Sequence, residues 1–297
     1  MAIGANGSGA SFEYAANQGG FIPEVFSKLL QAKFYSASVL PAISNTDYEG
    51  EISGQGDKVH IRTVPNVTVA DYTGTVSYAD LTTSTVELLI DQAKSYAFKI
   101  DDVLSAQGDI DMLAEASKDA AESMRIAVET DVLANVVTGA TTIGGQSTIT
   151  ADGSGTGETA ILEAILDMAK SLDELNIPED GRFIVLSPEF VSMLKRSELK
   201  QAYLTGDATS PLRNGQVGMI DRFTVYQSNM LWDGGSGADA GYTHVLAGHP
   251  KAITFASQFT NTETVRLEST FGDGVRGLKV YGRKVVTPDA LVVGKWT

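Results

Sequence analysis

The stretch Phe271-Gly-Asp-Gly-Val-Arg-Gly-Leu-Lys-Val-Tyr-Gly-Arg-Lys-Val-Val-Thr-Pro-Asp-Ala-Leu-Val-Val-Gly294 decides how the rest of the chain is read. Gly272 to Gly277 reads as a glycine-rich turn, Leu278 to Val285 as an alternating strand, Thr287-Pro-Asp289 as a corner, and Leu291 onward as a last apolar strand that closes the sheet. As a string, Gly272-Asp-Gly-Val-Arg-Gly277 matches the dinucleotide pattern GxGxxG. A strand follows it instead of a helix, so no helix N-terminus would face a pyrophosphate. The segment is built to hold shape.

Upstream lies an α/β region. Arg182-Phe-Ile-Val-Leu-Ser187 predicts a short buried strand, and Ser187-Pro-Glu189 starts a helix running to about Arg196, with a capping Ser, Pro at the first position and an acid behind it. Before it, Ile161, Ile165, Met168, Leu172 and Leu175 mark one face of a helix that Pro178 terminates. Arg222-Phe-Thr-Val-Tyr-Gln227, Tyr242–Leu246 and Lys251–Phe259 read as strands, with a glycine-rich surface loop at 234–241. Residues 109–138 predict the longest helix, about 45 Å at 1.5 Å per residue. Asp109 and Asp111 favour its positive end and Gly139 stops it. Met124, Val128, Val132 and Val136 give an apolar side; Glu115, Lys118, Glu122, Arg125 and Glu129 give a charged one, with Arg125 and Glu129 at i,i+4.

The N-terminal third changes character. Residues 1–20 are rich in Gly, Ser, Asn and Ala, as in an arm that orders by lying on something else. Val25, Phe26, Leu29, Leu30 and Phe34 then recur at helical spacing, and Pro41 closes that helix. Lys58 to Val64 alternates as a strand, Val67 to Thr73 is extended, and Thr85 to Ile100 is a second long alternating run. Together they predict an extended hairpin with few core-forming residues at its tip, which needs a partner surface.

Composition narrows the function. A net charge of −15 in 297 residues argues against phosphate-driven nucleic-acid binding. Fifteen Asp or Glu fall within 101–176, whereas the segment from Glu263 onward is mildly basic. With no cysteine, disulfides and thiolate chemistry are excluded. No stretch resembles a signal peptide or a membrane span. His60, His244 and His249 lack ligand spacing, and Asp101-Asp102 reads as a turn or helix-start signal. In the loop Gly153-Ser-Gly-Thr-Gly-Glu-Thr159, Glu158 stands where a phosphate lysine would be needed. No catalytic, cofactor or metal site is expected.

An arm, a projecting hairpin, a rod-like helix and a closing sheet point to assembly. In this order the chain resembles the major capsid proteins of tailed double-stranded DNA bacteriophages, with the Hong Kong 97-type α+β fold. The resemblance is carried by Phe21-Ile-Pro-Glu-Val-Phe26, Asn45-Thr-Asp-Tyr-Glu-Gly50, Gly56-Asp-Lys-Val-His-Ile61, Ile100-Asp-Asp-Val-Leu-Ser-Ala-Gln107, Val185-Leu-Ser-Pro-Glu-Phe190, Gly218-Met-Ile-Asp-Arg-Phe223 and the C-terminal strands. It implies an N-terminal arm (1–44), an E-loop hairpin (45–100), a P-domain (101–150 and 256–297, with a spine helix at 109–138) and an A-domain (151–255). It also implies a structural subunit of hexamers and pentamers in an icosahedral shell, assembled in the host bacterial cytoplasm around double-stranded DNA that it does not bind specifically. Expected partners are other copies, a separate scaffolding protein (or a leader since removed), a portal and a decoration protein, with no membrane. Asp57, Lys58, Asp71, Tyr72, Tyr78, Arg276 and Arg283 are the expected inter-subunit contacts. Some relatives crosslink through a Lys–Asn isopeptide bond; with Asn261 the single asparagine in about the last sixty residues, a non-covalent shell is expected. An encapsulin-like cargo shell would share the fold. An α/β enzyme with a hairpin arm would instead have a polar pocket of perturbed residues.

Overall fold

The computed structural model describes residues 33–48, 58–65, 83–102, 112–142, 156–196, 218–235, 240–268 and 271–296, together with residues 67, 69, 71, 72, 74, 78 and 80. The chain divides into two units, 1–33 and 34–297. Of the first, Lys33 alone is described, exposed and outside regular structure, so the helix expected at 21–34 lies largely outside the described residues. The second unit is α+β and holds everything that follows.

Its centre is a mixed six-stranded sheet of order β4-β11-β8-β5-β7-β6. The strands are β4 (Thr141–Thr142), β5 (Phe183–Leu186), β6 (Met219–Ile220), β7 (Phe223–Gln227), β8 (Thr243–Gly248) and β11 (Leu291–Trp296). Every residue of β5 is buried because both faces of this sheet are covered, which is why its sequence is a continuous apolar run. Phe183 and Val185 join Leu246, Leu291 and Val293 in one core with Val128, Val132, Leu133 and Val136 of α2 (Met112–Gly139). Ile184 and Leu186 face the other way, into a core with Ile161, Ile165, Met168 and Leu172 of α3 (Thr156–Glu174) and Phe190, Val191 and Leu194 of α4 (Pro188–Arg196). The helix start expected at Ser187 is present: its hydroxyl accepts from the Phe190 amide at 3.4 Å. The α3 helix ends at Glu174, four residues before Pro178, and the chain leaves it through left-handed Asn176 at φ 55°.

A second, three-stranded antiparallel sheet has the order β3-β10-β9, from β3 (Gln92–Asp101), β9 (Ile253–Arg266) and β10 (Gly272–Val285). The third sheet is the hairpin base, β1 (Lys58–Arg62) against β2 (Thr85–Leu89), with Lys58 opposite Leu89 and Arg62 opposite Thr85.

Five sequence expectations are corrected. First, Gly272–Gly277 is not a turn but the start of β10. Its glycines serve close approach: a Cβ at Gly272 would overlap the Ile100 carbonyl oxygen, and one at Gly277 the Tyr96 ring. Second, the last strand does not close the sheet of β10; it lies within the six-stranded sheet, antiparallel to β8. Third, Thr85–Ile100 is not one strand. It breaks at Ile90-Asp91, so that β2 pairs with β1 while β3 pairs with β10. Fourth, Pro41 does not close a helix but opens one, lying in the first turn of the short α1 (Leu40–Ile43), where its missing amide costs nothing. Fifth, Glu129 does not belong to a solvated charged face. It is 1% exposed, and Arg125 pairs with Glu122 at 2.7 Å instead.

The α2 helix runs 28 residues to Gly139, about 42 Å. Its fully buried residues begin at Val128; the turns before it contribute none among the described residues, and Leu113 is exposed. Asp109 and Asp111 lie outside the described residues.

Candidate functional site

The first candidate surface is the hairpin beyond Arg62 and Thr85. Its base is anchored: Ile61, Leu88 and Ile90 are buried with Ala256 of β9, and Val280 of β10 packs against them. Past that base the side chains leave the core. Val64, Val67, Val69, Tyr72 and Tyr78 are all exposed, Tyr78 to 95%. Within the subunit these bulky apolar groups stay largely exposed, which makes the hairpin a candidate interaction surface. Asp71 is likewise exposed, and Lys58 sits at the start of β1 with its side chain in solvent. Asp57 lies outside the described residues.

The second surface is the far end of the three-stranded sheet. Asn261 to Arg266 is exposed at every position, so this strand end projects with neither face covered by the described residues. Its charges are neutralised across the sheet. Arg276 Nε lies 2.5 Å from Glu263 Oε1. Arg266 forks between Asp102, where Nη1 reaches Oδ1 at 2.8 Å, and Asp273 at 3.2 Å. The hydrogen bond from Arg266 holds the Asp102 carboxyl below the ordinary carboxylate range, and the two acids raise Arg266 in return. Between the strands runs a groove of about 460 Å3, lined by Ser95, Ala97, Asn261, Glu263, Arg276 and Leu278. Phe271, at the turn before β10, is 82% exposed.

Arg276 is therefore on this surface, while Lys58, Asp71, Tyr72 and Tyr78 share the hairpin. Arg283 is elsewhere. Its side chain is 12% exposed, and Nη1 lies 2.9 Å from Asp131 on α2. The same carboxylate accepts from the Tyr281 hydroxyl at 2.7 Å, and burial with that bond pushes the phenol well above its usual range. Sequence reading missed Asp131 and Tyr281 because nothing local joins a mid-helix acid to a strand so distant in the chain.

A third cluster braces the six-stranded sheet. Asp173 at the end of α3 takes Arg182 at 2.7 Å and Arg222 at 3.0 Å, and Arg222 also reaches Glu179 at 2.6 Å. Arg182 is fully buried and further donates to the Pro178 and Ile177 carbonyls at 2.9 and 2.6 Å. Hydrogen bonding to Arg182, above all, lowers the Asp173 carboxyl. A depressed acid stabilises the fold above its unfolded value, about 3.9, and loses that contribution as pH falls through the lower folded value. Asp173→Asn should therefore lower the melting temperature at pH 7, and the gap to the parent should shrink below about pH 4. Thermal melts across pH 2–7 measure it; a gap constant with pH would contradict the ion-pair account.

These clusters brace structure and converge on no reaction centre. Among the described residues no three His, Cys, Asp or Glu are grouped to hold a metal ion, and no helix is long and apolar enough to cross a membrane. His60 faces Glu87 at 3.5 Å on the hairpin. His244 is buried with Nδ1 3.1 Å from the Trp232 carbonyl oxygen, and His249 accepts from the Lys251 amide. Asp102 is half of the Arg266 clamp, not of an acid–base dyad.

Known proteins place this arrangement. Residues 85–294 match a family model described as phage capsid protein. Among solved structures, the chain is similar to a protein of Mycobacterium phage Che8, at 31% identity over 93% of this chain and 97% of that one, with a TM-score of 0.81. It shares its fold with the capsid protein of cyanophage P-SCSP1u (16% identity, 93% of each chain, TM-score 0.77). It also shares it with the capsid protein of a native GTA particle (12% identity, 95% of this chain and 97% of that one, TM-score 0.68). No curated protein matches the sequence.

Proposed function

We propose how this chain, which belongs to the phage capsid protein family, joins its copies into a shell. It is a structural major capsid protein of an icosahedral phage head, with an α+β fold of the Hong Kong 97 type; it is not an enzyme, and its place is the virion capsid. The joining is done by surfaces that the subunit cannot bury on its own. The observation that carries this is the hairpin, where Val64, Val69, Tyr72 and Tyr78 stand exposed beyond an anchored base.

In this reading the hairpin is the E-loop and laps a neighbouring subunit, with Asp57, Lys58, Asp71, Tyr72 and Tyr78 at the contact. Arg276 serves a second contact at the end of the three-stranded sheet. Arg283 contributes least, since Asp131 already holds it. Residues 1–44 form the arm. The spine helix α2 and the three-stranded sheet make the P-domain, and 151–255 makes the A-domain, which β11 joins by pairing with β8. Copies close as hexamers and pentamers in the host cytoplasm, with a scaffolding protein, a portal and a decoration protein as partners. The acidic 101–176 segment suits a wall that encloses double-stranded DNA without gripping it, because like charges repel at short range.

Negative-stain microscopy of the purified protein tests the reading. Uniform icosahedral particles or ring-shaped capsomers are expected. Single globular molecules at every concentration and salt would overturn it.

A further inference from the structure

Glu129 is a buried carboxylate in the middle of an otherwise apolar stripe. It is 1% exposed on α2, flanked along the helix by Val128, Val132 and Leu133. Arg125, one turn back, spends its Nε on Glu122 and its Nη2 on the Ser36 carbonyl. The bonds that reach Glu129 come from neutral donors on another segment: the Ser38 hydroxyl to Oε2, and the Val39 amide to Oε1 at 2.8 Å.

That segment is a strap with two grades of attachment. At its start, Tyr35 Oη donates to Asp119 at 2.8 Å and Arg125 to the Ser36 carbonyl at 2.9 Å, while Phe34 is 93% exposed. From Val39 onward the hold is apolar and backbone. Val39, Leu40 and Ile43 are in the main core. The Asn45 amide donates to the Ile253 carbonyl at 2.7 Å, and the Phe255 amide to the Asn45 carbonyl at 3.0 Å. Glu129 sits where the grade changes.

We infer that Glu129 is a positioning residue that sets a hinge at Ala37–Ser38, about which residues 34–37 lift from α2 while 38–45 stay seated. Surface polar tacks exchange for water at little net cost, so the first part can lift. Lifting Ser38 and Val39 as well would draw apolar groups from the core and strip a buried carboxylate of its donors, so opening stops there. A fixed pivot would let the preceding chain swing toward differently placed neighbours without disturbing the core. That use rests on the shell reading; the hinge itself does not.

Hydrogen exchange on the full-length chain, resolved to single amides, tests the hinge whether or not shells form. The Val39 amide should exchange at least about tenfold more slowly than those of residues 35–37. Glu129→Ala should speed Val39 by about tenfold with Ile184 and Leu246 unchanged, and Glu129→Gln, which keeps a carbonyl acceptor, by less than about threefold. If the alanine variant fails to fold, Ser38→Ala should still speed Val39 by a few-fold. Val39 exchanging in step with residues 35–37 would overturn the inference. So would no change at Val39 in every variant, or an equal rise at Val39, Ile184 and Leu246, which would mark Glu129 as merely structural.

Discussion

Removing the hairpin tip between Asp71 and Thr83 is expected to leave a folded subunit that makes no shells. The fold should survive because the described aromatic residues of the tip support nothing within the subunit: Tyr72 is 75% and Tyr78 95% exposed. Shortening a surface connection changes closure entropy by well under 1 kcal/mol, so the melting temperature should move by no more than a few degrees. The anchored base, with Ile61, Leu88 and Ile90 against Ala256, is untouched by the deletion. Assembly responds differently. Specific interfaces bury on the order of 1,600 Å2, and aromatic anchors dominate their energetics. Two such anchors, Tyr72 and Tyr78, lie within the deleted segment, and every copy in a closed shell would lose them at once. Circular dichroism with thermal melting and negative-stain microscopy of the same sample give both readouts. Normal particles from the deletion would end the interlocking-hairpin account, and an unfolded subunit would show that the tip serves the fold instead.

How much of this was legible in the sequence depended on how local the cause was. The buried strand Phe183–Leu186 and the helix start at Ser187-Pro188-Glu189 are written in a few adjacent residues, and both stand where expected. So does the α2 stripe of Val128, Val132 and Val136. The failures share one form, a local signal overruled by a distant contact. Glu129 carries a surface residue's chemistry, yet Ser38 and Val39 give it donors and a lid. Gly272, Gly274 and Gly277 look like a turn until Ile100, Leu267 and Tyr96 occupy the space their missing side chains leave. Thr85–Ile100 mostly alternates, and its lapses at Leu88-Leu89-Ile90 and Asp91-Gln92 fall where the two strands part. The exposed surfaces were legible in kind, through a hairpin too long to bury itself. Arg283 shows the limit: chosen as a basic residue in a basic tail, it spends its charge on Asp131.

The break in that run leads to the second large expected effect, at Gly282. On β10, Tyr281 pairs with Gln92, the first residue of β3. One step further the chain leaves the sheet through Ile90-Asp91 and rises into the hairpin, crossing directly over Gly282. A Cβ at Gly282 would overlap the Leu89 carbonyl oxygen and lie 3.0 Å from its carbon and 3.1 Å from Ile90 Cγ1. Two effects compete in Gly282→Val. Strand propensity favours valine by up to about 1 kcal/mol. The clash is with backbone, which cannot rotate away as a side chain can, and forcing volume into such a site costs about 1–3 kcal/mol. The clash should win, with a net loss of about 1–2 kcal/mol in urea melts. The larger consequence is geometric. The strain is relieved most cheaply by tilting the hairpin base away from β10, and a small tilt there is amplified along the length of the hairpin to its tip. Shell yield should therefore fall far more than stability does. Gly274→Ala is the control: it lies on the same strand, and its Cβ would meet the movable Leu267 side chain at 3.1 Å. It should cost less than about 1 kcal/mol and assemble normally. Full shell yield from Gly282→Val despite the lost stability would show that the crossing sets the packing of the base but not the direction of the hairpin.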